Sequence, residues 1–294
     1  MKPLVIAHRG ARSLAPENTL AAARTAHALG ADMWELDVHL SADGELIVFH
    51  DDTLTRTTNA RAVFPQRMPW WVSDFTLAEI KQLDTGRVFL RSDPFGQIAA
   101  GHVSPAAQAA LQTEPVPTLR EALQLTIDLD WRVNVEIKAQ PPQSAVSIPE
   151  RVTRLIEELR AESRVLVSSF VPDYLQQVAA LNPNIPLALL TEGPIAQSLL
   201  AKFLLAGAAP PLVHLSGFDP TPLLAQLGST VFHPYHHIVT PEDVRILGER
   251  GIAVNVWTVN NPADMRHWIA AGVNGIITDF PQLLVDMLIT LPGE

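Results

Sequence analysis

The chain has 294 residues, 47% of them apolar and 18% charged, with a formal net charge of −10 and no cysteine. Such an apolar share over that length supports a full core and argues against disorder. The acidic balance argues against a nucleic-acid partner, which needs a basic footprint, and the missing cysteines leave only oxygen and nitrogen donors for any metal.

Met-Lys-Pro runs straight into an apolar stretch, Leu4 to Ala7, read as a first strand ending at His8-Arg9-Gly10. That leaves no room for a secretory signal, so a cytoplasmic protein is expected. No apolar run approaches the length of a membrane span, so stable membrane insertion is not expected. An Ala-rich helix follows, roughly Thr19 to Leu29, closed by Gly30. A second strand covers about Met33 to Val38, and a short run from Glu45 to Phe49 ends at His50.

From Asp51 to about Pro117 the rhythm changes, with recurrent prolines and the pair Trp70-Trp71. One short helix is signalled there by a Thr76/Glu79 capping box. Residues 51–117 read as an insertion on a single domain spanning 1–294, without enough regular apolar repeats for a core of their own. Regularity returns with a second capping box, Thr118 and Glu121. Further strands are expected at Arg132–Glu136, Val165–Ser168, Leu187–Leu190, Thr230–Phe232, Ala253–Trp257 and Gly275–Thr278. Thr240-Pro241-Glu242 and Asn261-Pro262 mark helix starts, each a cap followed by proline at the first helical position. Strands alternating with helices predict a parallel α/β fold, and eight strands predict a (β/α)₈ TIM barrel. Val213–Ser216 is a further candidate strand in the least regular stretch, 195–229.

Glu35 and Asp37 lie two apart near a strand end and therefore share a face. Two carboxylates inside a barrel are costly unless a cation pairs them, and a hard divalent ion such as Mg²⁺ or Ca²⁺ serves. Glu136 and Lys138 repeat the spacing on another strand, either as an internal ion pair or with Glu136 as a third carboxylate at the same barrel face. His8 and His50 each end a β-like run. Together beside carboxylates they read as an acid/base pair, because imidazole titrates nearest neutral pH. The planar fork of Arg9 suits a phosphate oxygen.

His8-Arg9-Gly10, Pro16-Glu17-Asn18-Thr19, Glu35-Leu36-Asp37 and the run His50 to Thr58, in that order and spacing, resemble the glycerophosphodiester phosphodiesterases. Glu136-Ile137-Lys138, Ser168-Ser169-Phe170, Trp257 to Asn260 and Gly272 to Asp279 extend the likeness along nearly the whole chain. One departure is Asn274, where many relatives carry Asp. The resemblance implies one divalent cation (Mg²⁺, Ca²⁺ or Mn²⁺) on Glu35, Asp37 and Glu136. It implies His8 and His50 as general base and acid, Arg9 and Lys138 on the phosphate, and Trp257 beside the glycerol carbons. Asp51 would support His50 or a metal-bound water, Glu17 and Asn18 would position the first loop, and the insertion would cap the barrel mouth. The implied reaction converts a small glycerophosphodiester to glycerol 3-phosphate and an alcohol. A lysophospholipase D-like or sphingolipid phosphodiesterase is a rival, with Trp70, Trp71 and Phe75 as its apolar rim. A catalytically silent barrel used for binding is another. The sequence does not reveal the oligomeric state.

Overall fold

The computed structural model describes residues 2–140, 147–192 and 219–290. Nine strands are present among them: β1 (Leu4–Ala7), β2 (Met33–Leu40), β3 (Leu46–Val48), β4 (Val133–Ile137), β5 (Val165–Ser169), β6 (Leu187–Thr191), β7 (Val231–Pro234), β8 (Ala253–Val256) and β9 (Gly275–Thr278). Eight of them run parallel in the order β1-β9-β8-β7-β6-β5-β4-β2, and pairing of β1 with β2 closes the barrel. The eight strands expected from sequence are these eight. The short run before His50 is β3, which pairs antiparallel with β2 outside the closure. The candidate strand Val213–Ser216 lies outside the described residues.

Burial explains the strand composition. Every residue of β2, β4 and β5 is buried, as expected when helices cover one face of a parallel sheet and other strands face the second. Trp34, Leu36, Val38, Val133 and Val135 point to the helices and join the main core with Leu123 and Ile156. Ile6, Met33 and Ile277 form a small separate apolar cluster. The alternate positions Glu35 and Asp37 therefore turn into the barrel.

The helix starts read from sequence are used as read. Thr19 Oγ1 accepts from the Ala22 N–H at the head of helix Leu20–Ala28. Both arms of the Thr118/Glu121 capping box are made on helix Leu119–Asp128, and both arms of the Thr76/Glu79 box on helix Leu77–Ile80.

Residues 51–117 carry short helices at Ala60–Val63, Leu77–Ile80, Gly86–Ser92 and Pro105–Ala110. The stretch shares a core with the barrel edge and has none wholly its own. Leu54, Val72, Phe75, Ile80, Leu83 and Val116 form a separate buried cluster, completed by Ile47 and Phe49 from β3 and its end. The cluster was hidden because its members are irregularly spaced. No helix among the described residues is long and apolar enough to cross a membrane.

Two substitutions on helix Leu119–Asp128 test this reading. Leu123 is fully buried, so Leu123→Ala should cost about 2–5 kcal/mol. Thr118→Ala removes only a cap and should cost about 1 kcal/mol. Urea or thermal unfolding that ranked Thr118→Ala as the more damaging would contradict the packing described.

Candidate active site

The neighbouring strands β2 and β4 carry the centre of the site. Register sets Asp37 beside Glu136, and one carboxylate oxygen from each of Glu35, Asp37 and Glu136 lies within 4.8 Å of the others. Roughly 4.8 Å is also the widest separation of two oxygens held at about 2.4 Å on one Ca²⁺. All three residues are buried. Glu35 Oε1 has no hydrogen-bond partner among the protein groups, so these residues fit a hard cation.

Neighbouring groups hold the cluster together. The Arg9 N–H donates to Glu35 Oε2 at 2.8 Å. Asn18 Nδ2 donates to Asp37 Oδ2 at 2.7 Å, and the Asp37 N–H returns a bond to Asn18 Oδ1 at 3.2 Å. Lys138 Nζ lies 3.0 Å from Asp37 Oδ1 and 2.6 Å from Glu136 Oε1. Burial first, then repulsion from Asp37 and Glu136, holds Glu35 well above the ordinary carboxylate range. Burial also opposes ionisation of Asp37, but Lys138 and Arg9 overcome it and hold Asp37 low.

The turn after β1 explains Arg9 and Gly10. Both have left-handed backbone, at φ 55° and 79°. A Cβ on Gly10 would lie 2.7 Å from Ala22, so glycine is required there on both counts. The left-handed Arg9 turns its N–H onto Glu35 instead of continuing the strand.

Each histidine is held by a carboxylate. His8 Nδ1 lies 2.6 Å from Asp279 Oδ1, because β1 pairs with β9 and Ala7 sits opposite Thr278. Asn260 Nδ2 donates to the other oxygen of Asp279 at 2.7 Å. Burial, reinforced by Arg9 and opposed by Asp279, brings His8 down to about 4. His8 is therefore neutral at neutral pH. With Nδ1–H on Asp279, Nε2 carries the lone pair. His50 Nδ1 lies 2.7 Å from Asp51 Oδ1. The ring of His39, on the inner face of β2, donates from Nε2 to the His50 carbonyl at 2.9 Å.

One cavity of about 700 Å³ brings together His8, Arg9, Glu35, His50, Asp51, Glu136, Lys138 and Trp257. Asp37 lies just beneath, under Lys138 and Arg9. Glu17 and Asn18 stand behind the cavity, in contact with Arg9 and Asp37 respectively. Trp257 packs between Phe170 and Tyr235 with ring centroids 5.5 and 5.4 Å away, and its indole N–H donates to the His233 carbonyl at 2.8 Å.

Sequence reasoning assigned no part to Asp279, Arg12, Arg56 or His39. Asp279 had two signals, its place at the end of a strand like the other site residues and its position at the close of the matching run Gly272 to Asp279. The apolar rim expected for a lipid substrate does not form as expected. Phe75 is fully buried in the inserted stretch's cluster, and the Trp70 indole N–H is bonded to the Phe64 carbonyl. Trp71 alone of the three is substantially exposed, at 44%.

Clustered carboxylates with one unpartnered oxygen, two cations among them and two carboxylate-held imidazoles suit cleavage of an anionic ester, and they sit at the barrel end where such chemistry gathers. This is the organisation of a barrel phosphodiesterase. Residues 8–283 match the model of the glycerophosphoryl diester phosphodiesterase family, and the chain belongs to that family. It is 35% identical over 288 residues to a glycerophosphodiester phosphodiesterase of Caldanaerobacter subterraneus, covering 98% of both chains. A glycerophosphodiester phosphodiesterase of Bacillus subtilis is 30% identical, over 95% of this chain and 84% of its own. The fold also matches an Oleispira antarctica phosphodiesterase solved with the product sn-glycerol-3-phosphate, with TM-score 0.72, 25% identity and 98% of each chain covered.

Asp279→Asn keeps the size of the group but removes the charge that fixes the His8 tautomer. It should lower kcat by about 10² or more while thermal unfolding changes little. Unaltered kcat in a folded Asp279→Asn protein would remove Asp279 from any role in the reaction.

Proposed function

We propose that this chain is a glycerophosphodiester phosphodiesterase that releases glycerol 3-phosphate and a free alcohol from small diesters. One observation carries the reading. Two imidazoles, each held at Nδ1 by a carboxylate, share a cavity with the Glu35/Asp37/Glu136 cluster. Residues 51–117 form a cap on a single catalytic domain, and the cysteine-free composition supports a cytoplasmic setting.

Glu35, Asp37 and Glu136 hold one divalent cation of the Mg²⁺, Ca²⁺ or Mn²⁺ kind. When bound, it supplies positive charge to the phosphoryl oxygens. The protein's own groups do the rest. Arg9 and Lys138 neutralise the charge that builds on those oxygens as attack proceeds. Lys138 has three N–H donors, and two lie against carboxylates, leaving one for substrate. Neutral His8 accepts the proton of the attacking hydroxyl, whether water or the substrate's neighbouring hydroxyl. His50 donates a proton to the departing alcohol. Trp257, wedged between Phe170 and Tyr235, offers a flat apolar wall to the glycerol carbons. Glu17, Asn18 and Asp51 hold these groups in place.

Burial of Phe75 and the bonding of Trp70 weaken the lipid-hydrolase rival. The silent-barrel rival is disfavoured because no carboxylate or histidine of the expected set is missing from the site.

Purified protein should release glycerol 3-phosphate from glycerophosphocholine, lose that activity with EDTA, and regain it with one added divalent ion. His8→Ala and His50→Ala should each remove most turnover. On a diester with a p-nitrophenolate leaving group, which departs without a proton, His50→Ala should recover more activity than His8→Ala. Equal losses on both substrates would oppose the division of labour.

Cation binding has a definite pH direction. A carboxyl held above its ordinary value keeps its proton to higher pH, and a metal binds only the ionised form. Raised Glu35 should therefore make cation affinity rise with pH, with proton release visible by calorimetry in buffers of different ionisation enthalpy. Affinity flat between pH about 5 and about 8 would mean that Glu35 is already ionised before the cation arrives.

A further inference from the structure

We propose that Glu17 is a positioning residue that couples the two histidine–carboxylate pairs, so that the setting of either imidazole depends on the other. The inference rests on reading His8 and His50 as the acid/base pair. It concerns how they are held, not what they cleave.

A continuous set of charged contacts joins the two rings. Asp279 Oδ1, which holds His8, lies 3.4 Å from Arg12 Nη1. Arg12 Nη2 lies 2.8 Å from Glu17 Oε2. Glu17 then takes Arg56 bidentately, Nη2 to Oε1 at 2.6 Å and Nη1 to Oε2 at 3.0 Å. Arg56 also grips Asp51, Nε to Oδ2 at 2.6 Å and Nη2 to Oδ1 at 2.8 Å, and Asp51 holds His50. A branch leaves the same carboxylate for the phosphate side: Arg9 Nη1 donates to Glu17 Oε1 at 2.8 Å, and Arg9 Nε lies 3.3 Å from Asp37.

Each arginine in the set faces Glu17 on one side and a different working carboxylate on the other. Arg12 reaches Asp279, Arg56 reaches Asp51, and Arg9 reaches Asp37. Both oxygens of Glu17 are shared, Oε1 between Arg9 and Arg56, and Oε2 between Arg12 and Arg56. Arg56 therefore cannot shift without turning the carboxylate that fixes Arg12. Planar forks fix orientation as well as distance, which single-point contacts do not. The hub is also sheltered. The Glu17 side chain is only 10% exposed. Burial works against its ionisation, yet the hydrogen bonds from Arg56 and the charges of Arg9 and Arg12 bring it down to about 2. Arg12 is steadied from the far side by the Phe95 ring at 5.2 Å, and Phe95 in turn packs edge-on to Phe280 at 5.3 Å.

Arg56 and Phe95 belong to the inserted stretch, while Arg12, Glu17 and Asp279 belong to the barrel. The coupling therefore ties the inserted stretch to the barrel at the level of histidine geometry. An in-line displacement needs its base and acid a fixed distance apart, and small misplacement is costly. One shared carboxylate sets both ends at once.

The test reads the imidazoles directly. In protein with ¹⁵N-labelled histidine, the His8 and His50 ring signals are assigned by their loss in His8→Ala and His50→Ala. Arg56→Gln touches only the His50 side and Glu17. Coupling predicts that it shifts the His8 ring signals as well as those of His50, and that Arg12→Gln shifts His50 reciprocally. On a Glu17→Gln background, adding Arg56→Gln should still move His50 but no longer move His8. His8 signals unmoved by Arg56→Gln alone, or moved equally on the Glu17→Gln background, would overturn the proposal.

Should Glu17→Gln fail to fold, a double-mutant cycle between Arg12→Gln and Arg56→Gln decides. Each should lower kcat about tenfold, with the double variant no worse than the poorer single one. Multiplied losses would overturn the coupling. None of the ring-signal results requires a substrate, so they stand apart from the choice of glycerophosphodiester.

Discussion

Three carboxylates crowded into the mouth of a closed barrel are the constraint to which the rest of the site answers. Taken out of water, they repel one another and lose hydration, a cost of several kcal/mol per ion unless matched by nearby positive charge. Lys138 and Arg9 supply part of that charge, and the backbone of the His8-Arg9-Gly10 turn supplies a further donor. One oxygen of Glu35 is left over, and Glu35 remains reluctant to ionise. The protein thus stops short of neutralising its own centre. That shortfall is why the cluster suits a further positive charge such as a divalent ion.

Much of this was legible in the sequence because barrel strands translate spacing into direction. Glu35-Leu36-Asp37 and Glu136-Ile137-Lys138 share a period of two, so each pair had to face one way, and in a barrel the polar face near a strand end is the mouth. His8 was legible for the same reason. Helix starts were legible because a capping side chain acts on a backbone three residues away, as at Thr118 and Glu121.

What escaped were contacts between residues distant in sequence with no local pattern. Asp279 meets His8 only because the last strand closes against the first. Arg56 meets Glu17 across the join between inserted stretch and barrel, and an arginine in an irregular stretch carries no directional signal. Phe75 looked like an exposed aromatic for the same reason. Two residues of its cluster, Ile47 and Phe49, come from the antiparallel strand β3 and its end, whose pairing with β2 the spacing did not reveal. His39 continues the inner face of β2 beyond the predicted end of that strand, at Val38, and so fell outside the reading.

The closure between β1 and β9 has a bearing on how the molecule folds. His8 and its partner Asp279 stand 271 positions apart along the chain. Contacts this far apart in sequence are slow to establish, so the seam that orients His8 belongs to the late, non-local part of folding. Until β1 and β9 pair, His8 lacks the carboxylate that holds its Nδ1. The orientation of His8 is therefore a property of the closed barrel and of no local segment.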